Sequence, residues 1–66
     1  MINWDSLIKK NSRSVKEFAV GTRSASEFQS DFSGNPNPAR TVVKVHGSTY
    51  GRRLARKALR RRGLIA

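Results

Sequence analysis

The chain has 66 residues, no cysteine, one histidine and a formal net charge of +10. A chain this short makes one domain at most and buries only about 60% of its unfolded surface, and the lack of cysteine excludes a disulfide-stapled scaffold. With three Phe, one Trp and one Tyr as its large anchors, it is expected to borrow stability from a partner, as chains below roughly 70–80 residues often do.

At the N-terminus, Met1-Ile2-Asn3-Trp4-Asp5 lacks the basic flank and apolar run of a secretory signal. No apolar run approaches the roughly 20 residues of a membrane span, so a soluble chain, or one held in an assembly, is expected. Trp4, Leu7, Ile8, Asn11, Val15, Phe18 and Ala19 recur at spacings of three and four, which predicts a helix over about residues 4–20. Asn3 suits its N-cap, Asp5 its positive dipole end, and Gly21 its C-terminus. The polar run Asn11-Ser12-Arg13-Ser14 leaves two outcomes open, one helix or two pieces broken near Asn11. Val15 to Val20 also fits a short strand.

Ser24-Ala25-Ser26-Glu27 matches the capping box and predicts a second, short helix with Ala25, Phe28 and Phe32 on one face, stopped by Gly34. Asn35-Pro36-Asn37-Pro38 then imposes turn or extended geometry. The β-branched run Arg40-Thr41-Val42-Val43-Lys44-Val45-His46 predicts an isolated strand or extended arm, and residues 47–51 a flexible turn. A last helix is expected from about Gly51 to Arg62, with Leu54, Ala55, Ala58 and Leu59 within an arc of roughly 140° and bases over the remainder. The fold class is therefore mainly α: a small, partly extended chain of two or three short helices and one strand or arm, ordered by an assembly partner. Its divisions are a helical protein-docking segment (1–34), a Pro/Gly linker with an extended arm (35–50) and a basic amphipathic helix (51–66).

Charge separates the two halves. Residues 1–33 carry five bases against four acids, a net of +1. Residues 34–66 carry nine bases and no acid, a net of +9: Arg40, Lys44, Arg52, Arg53, Arg56, Lys57, Arg60, Arg61 and Arg62. A merely solvated helix face would mix both signs. An Arg-rich face without carboxylates points to a polyanion, because each guanidinium offers a planar fork of donors to phosphate oxygens. Those nine residues are the candidate nucleic-acid contacts. The helix lacks the Asn, Gln, Ser and Thr that read base edges, so phosphate contact without sequence readout is expected. Tyr50 and His46 offer weaker stacking candidates, set against packing of Tyr50 on Leu54. Trp4, Leu7, Ile8, Phe18, Phe28 and Phe32 are candidates for core or for docking on another protein.

Catalysis is not expected. Glu27 and Asp31 sit four apart, the spacing of a solvated acidic edge; His46 is the sole base available to activate a serine. No ligand set for a metal is evident, and the segment 47–51 lacks the lysine and spacing of a phosphate-binding loop. Neither cofactor nor small-molecule substrate is expected. In composition, the acid-free tail Gly51-Arg-Arg-Leu-Ala-Arg-Lys-Ala-Leu-Arg-Arg-Arg-Gly63 resembles small basic virion-associated proteins of bacteriophages, both minor capsid and internal DNA-binding proteins, and also small ribosomal proteins. The resemblance covers about residues 40–66 and includes no diagnostic motif. It implies a structural accessory protein of a nucleoprotein particle, with DNA ranked ahead of RNA and a larger structural protein, such as a capsid protein, as second partner. The alternatives are a small regulator covering an acidic protein surface, a ribosomal protein, or a helix lying on a membrane surface.

Overall fold

The structure, a computed structural model, describes residues 2–66 and contains three helices: α1 (Trp4–Val20), α2 (Ala25–Asp31) and α3 (Pro38–Arg61). The chain is mainly α, and the described residues form no strand. In α1, the Asn3 side chain accepts from the Ser6 amide at 3.1 Å, and the Gly21 amide closes the helix on the Glu17 and Phe18 carbonyls. The two outcomes left open at Asn11 merge: α1 is one element broken there, with Asn11 in extended geometry (φ −156°, ψ 81°). Its side chain accepts from the Ser14 amide at 3.1 Å, so Asn11 acts as an internal N-cap for residues 12–20. Residues 15–20 are helical, which removes the short-strand option.

The capping box of α2 forms in both directions. The Glu27 amide donates to Ser24 Oγ at 3.1 Å, and the Ser24 amide donates to Glu27 Oε1 at 3.3 Å. This fixes Phe28 and Phe32 inward. The Phe28 ring stacks on Phe18, centroids 4.0 Å apart and nearly parallel, and meets Phe32 edge-on at 5.4 Å.

The expected strand over 40–46 is replaced by helix, while Asn35 to Asn37 keep the bent or extended geometry expected of the Pro-rich run just ahead of it. Asn37 accepts from the Arg40 amide at 3.1 Å, with Pro38 at the first helical position, where its missing N–H is no loss. The Asn37 side-chain amide also donates to the Gln29 carbonyl at 2.9 Å, tying the start of α3 to α2. Ala39 and Val42 are fully buried and Val43 partly so, whereas Val45 is 67% exposed. That is helical spacing, and it is incompatible with Val43 and Val45 sharing one face of a strand. Burial on the Phe cluster overrides the weak β preference of Thr41, Val42, Val43 and Val45. The expected turn at 47–51 shrinks to one residue. Gly47 (φ 78°, ψ 165°) breaks α3 into residues 38–46 and 48–61.

The core joins all three helices through Leu7, Val15, Phe18, Ala19, Phe28, Phe32, Ala39, Val42, Ala55 and Leu59. At Gly51 a Cβ would lie 3.0 Å from Val42 Cγ1 and 3.7 Å from the Phe18 ring, so the bare backbone lets the two parts of α3 close over Phe18. The docking role considered for Leu7, Phe18, Phe28 and Phe32 is corrected by this packing. All four are fully buried inside the chain's own core and offer no surface. Trp4 and Ile8 are half-buried against it.

The break at Gly47 separates two accounts of α3 by sign. Its backbone lies in a region that essentially only glycine occupies, at a cost of about 1–3 kcal/mol for other residues. Gly47→Ala is therefore expected to lower the midpoint of thermal unfolding. In a continuous helix the same change would raise it, by about 1 kcal/mol of helix propensity.

Candidate nucleic-acid interface

The last turn of α1 leaves backbone carbonyls without intrahelical partners, and α1 has no basic residue of its own there. Arginines from α3 fill the gap. Arg52 Nη1 donates to the Phe18 carbonyl at 2.7 Å and to the Arg23 carbonyl at 2.8 Å, with its guanidinium carbon 4.5 Å from the centre of the Phe18 ring. One turn on, Arg56 Nη1 donates to the Ala19 carbonyl at 2.7 Å. A cation here also meets the negative end of the helix dipole. Arg52 and Arg56 are thus turned onto the fold.

A third arginine is also engaged. Arg62 Nε donates to Asp5 Oδ1 at 2.6 Å and its Nη1 to the Ala58 carbonyl at 2.7 Å, joining the two chain ends. Arg62 lies in line with the apolar stripe of α3, so the tether needs no distortion of the helix.

The remaining acids are gathered at the α1–α2 junction. Arg23 contacts Glu17 (2.8 Å), Asp31 (3.2 Å) and Glu27 (3.9 Å), and Glu17 also holds Arg13 at 3.0 Å. The buried Ser14 hydroxyl donates to Asp31 Oδ2 at 2.6 Å. Hydrogen bonds from Arg62 hold the Asp5 carboxyl below its ordinary range, and those from Arg13 and then Arg23 do the same for Glu17. Glu17, in turn, raises the pKa of Arg23. Three arginines thus take all four Asp and Glu carboxylates of the chain. The other eleven of its fourteen Lys and Arg side chains have no Asp or Glu partner among the described residues.

On the outer face of α3, Arg53, Lys57 and Arg60 fall within an arc of about 60° at 100° per residue, and all three are exposed. Arg61 is exposed on the flank of Leu54 and Ala58, opposite Arg52 and Arg56, and Arg40 and Lys44 are exposed one turn apart on the first part of α3. Arg60 Nε also donates to the C-terminal Ala66 oxygen at 3.1 Å. The nine expected contacts therefore divide. Arg40, Lys44, Arg53, Lys57, Arg60 and Arg61 face solvent, whereas Arg52, Arg56 and Arg62 bond within the fold. Tyr50 does not join the core as packing on Leu54 would require. It is 49% exposed, its ring 5.5 Å from that of His46.

The capping arginines were missed in the sequence, although a signal existed. Arg52 and Arg56 are four apart and border the inward stripe of Gly51, Ala55 and Leu59, where a long side chain reaches a neighbouring helix rather than open solvent. Beside Lys57, Arg61 and Arg62, the flank of α3 also borders a groove of about 510 Å³ whose other walls are Trp4, Leu54 and Ala58. Among the described residues, no three His, Cys, Asp or Glu side chains gather as a metal cluster, and no helix is long and apolar enough to cross a membrane. Comparison of the chain with protein-family models, with curated proteins and with solved structures finds no match.

Two measurements check this division. Arg52→Gln is expected to cost about 1–2 kcal/mol of stability, the range for hydrogen bonds from a charged group discounted for partial exposure. Arg53→Gln should stay within about 0.5 kcal/mol of the parent, and equal effects at the two positions would contradict the assignment. The second concerns acid. Because the Asp5 and Glu17 pKa values are lowered in the fold, their contribution is complete above about pH 5 and is lost as pH falls below about 4. Thermal unfolding at low salt should follow that course, with a shallower acid limb in the Asp5→Asn, Glu17→Gln double variant.

Proposed function

We propose that the chain is a structural accessory protein of a nucleoprotein particle that binds nucleic-acid phosphates without sequence readout. The observation that carries this reading is the outer face of α3, where Arg53, Lys57, Arg60 and Arg61 stand exposed. Among the described residues no Asp or Glu lies opposite them, and only Arg60 is bonded, to the Ala66 oxygen. Such a face is costly to the isolated chain, since like charges repel, and a row of phosphates relieves that cost. Arg40 and Lys44 extend the same chemistry onto the first part of α3. Arg52, Arg56 and Arg62 support it indirectly, by fixing α3 on α1 so that the outer face is presented on a rigid element.

A virion is the setting favoured by the compositional resemblance, with DNA ranked ahead of RNA. Docking on a larger structural protein then falls to surface side chains, of which Val20, Val45, Tyr50 and Leu64 are the large exposed apolar ones. Partner-assisted ordering takes a limited form. The three helices close their own core, and a bound polyanion adds stability by relieving repulsion along α3.

The test is salt dependence. Neutralising about six phosphates gives a slope of log K against log salt near −5 on duplex and near −4 on single strands. Replacing Arg53, Lys57, Arg60 and Arg61 by Gln should flatten that slope by about three units and sharply reduce the rise in unfolding temperature on adding nucleic acid. A salt-independent affinity would rule the mechanism out. Binding to an acidic protein that excess heparin fails to displace would favour a shape-matched protein interface instead.

A further inference from the structure

The groove beside the basic face has a composition that phosphate binding alone does not use. Its walls include Trp4 and Leu54, and Lys57, Arg61 and Arg62 stand around them. Arg62 is held by Asp5 and the Ala58 carbonyl, whereas Lys57 and Arg61 are exposed and have no carboxylate partner among the described residues. The groove's volume, about 510 Å³, lies in the range of small-molecule clefts. Trp4 leans on the core and also lines this space, so part of its ring system borders the opening. Lys57 belongs both to the groove and to the outer stripe, which makes the two surfaces continuous.

An aromatic wall beside two uncompensated cations matches a nucleotide, which joins a flat π-face to a phosphate. In a duplex the base faces are stacked on one another and only their edges are open, so a base reaches Trp4 only when it is unpaired. Along the strand, the next phosphate would meet Arg53, about 6 Å from Lys57 along the helix axis. An acidic peptide would satisfy the cations but has no obligatory flat ring for Trp4.

Resting on the phosphate-binding reading above, we infer that this groove accepts one unpaired nucleobase against Trp4 and Leu54, with its phosphate on Lys57 and Arg61. The chain therefore favours single-stranded over duplex nucleic acid. Trp4 is the one tryptophan of the sequence, so its emission reports on the groove alone.

The experiment titrates the full chain with oligothymidylate, with a duplex of equal length and with polyglutamate, following Trp4 emission and the anisotropy of an end-labelled strand together. Oligothymidylate should quench Trp4 in step with the anisotropy change, while duplex binds without quenching and polyglutamate leaves the emission unaltered. Trp4→Leu, checked for retained helicity, should weaken single-strand binding about fivefold or more, the lower end of one stacking contact, and leave duplex binding unchanged. Should that variant unfold, charge removal in pairs still decides. Lys57→Gln with Arg61→Gln must cost more single-strand affinity than Arg40→Gln with Arg53→Gln. Single-strand binding with unaltered Trp4 emission, equal losses from the two pairs, or equal quenching by polyglutamate would each overturn the inference while leaving phosphate binding standing. Failure of both nucleic acids to change the anisotropy would instead overturn the phosphate reading itself.

Discussion

The C-terminal end of α1 is held by arginines borrowed from α3, and most of the architecture follows from that dependence. Gly21 closes the backbone on the Glu17 and Phe18 carbonyls, but Arg56 serves the Ala19 carbonyl and Arg52 adds a second donor at Phe18, where α1 offers no cation of its own. Arg52 supplies two hydrogen bonds from one nitrogen while its plane covers Phe18, the ring that also stacks on Phe28. One side chain therefore links α1, the turn at Arg23 and α3. A lysine would not replace it, because a compact ammonium lacks the flat fork that can bond carbonyls and cover a ring together. Gly51 lies one residue earlier in α3, and its missing Cβ lets the helix come close enough for the contact.

This arrangement changes what a basic helix means in so small a chain. From composition alone, seven cations between residues 52 and 62 form one charged surface. In the fold they serve two purposes. Those bordering the apolar stripe, Arg52, Arg56 and Arg62, spend their donors on carbonyls and on Asp5, while Arg53, Lys57, Arg60 and Arg61 face outward. The acids are disposed to match. Glu17, Glu27 and Asp31 converge on Arg23, away from the outer face of α3, and Asp5 sits at the closure of the two chain ends. No Asp or Glu is left to neutralise the outward stripe.

Local chemistry was legible where a residue's partner lies within one turn. The capping box at Ser24, the N-cap at Asn3, the stop at Gly21 and the weak point at Asn11 could all be read, because each rests on a side chain and a nearby amide. The strand over 40–46 was a misreading of β-branched content. Ala39, Val42, Val43 and His46 hold helical spacing, and Asn37-Pro38 is a helix start that looked like a turn. Deciding between them required knowing that Phe18, Phe28 and Phe32 form a surface for Val42 to cover. The basic face was legible as a whole, but its division was not, since which arginines turn inward depends on where α1 ends in space. The Trp4 groove was illegible for the same reason: its walls come from opposite ends of the chain.

If phosphate is met as proposed, the outward arginines of α3 respond to it separately from those that hold the fold. Side-chain Nε–H resonances of the individual arginines, followed by nuclear magnetic resonance during titration with nucleic acid, address that separation most directly. The account predicts progressive shifts for Arg53, Arg60 and Arg61, with Arg52 and Arg56 protected from solvent exchange and nearly stationary throughout. Equal shifts across all five, or movement confined to Arg52 and Arg56, would contradict it.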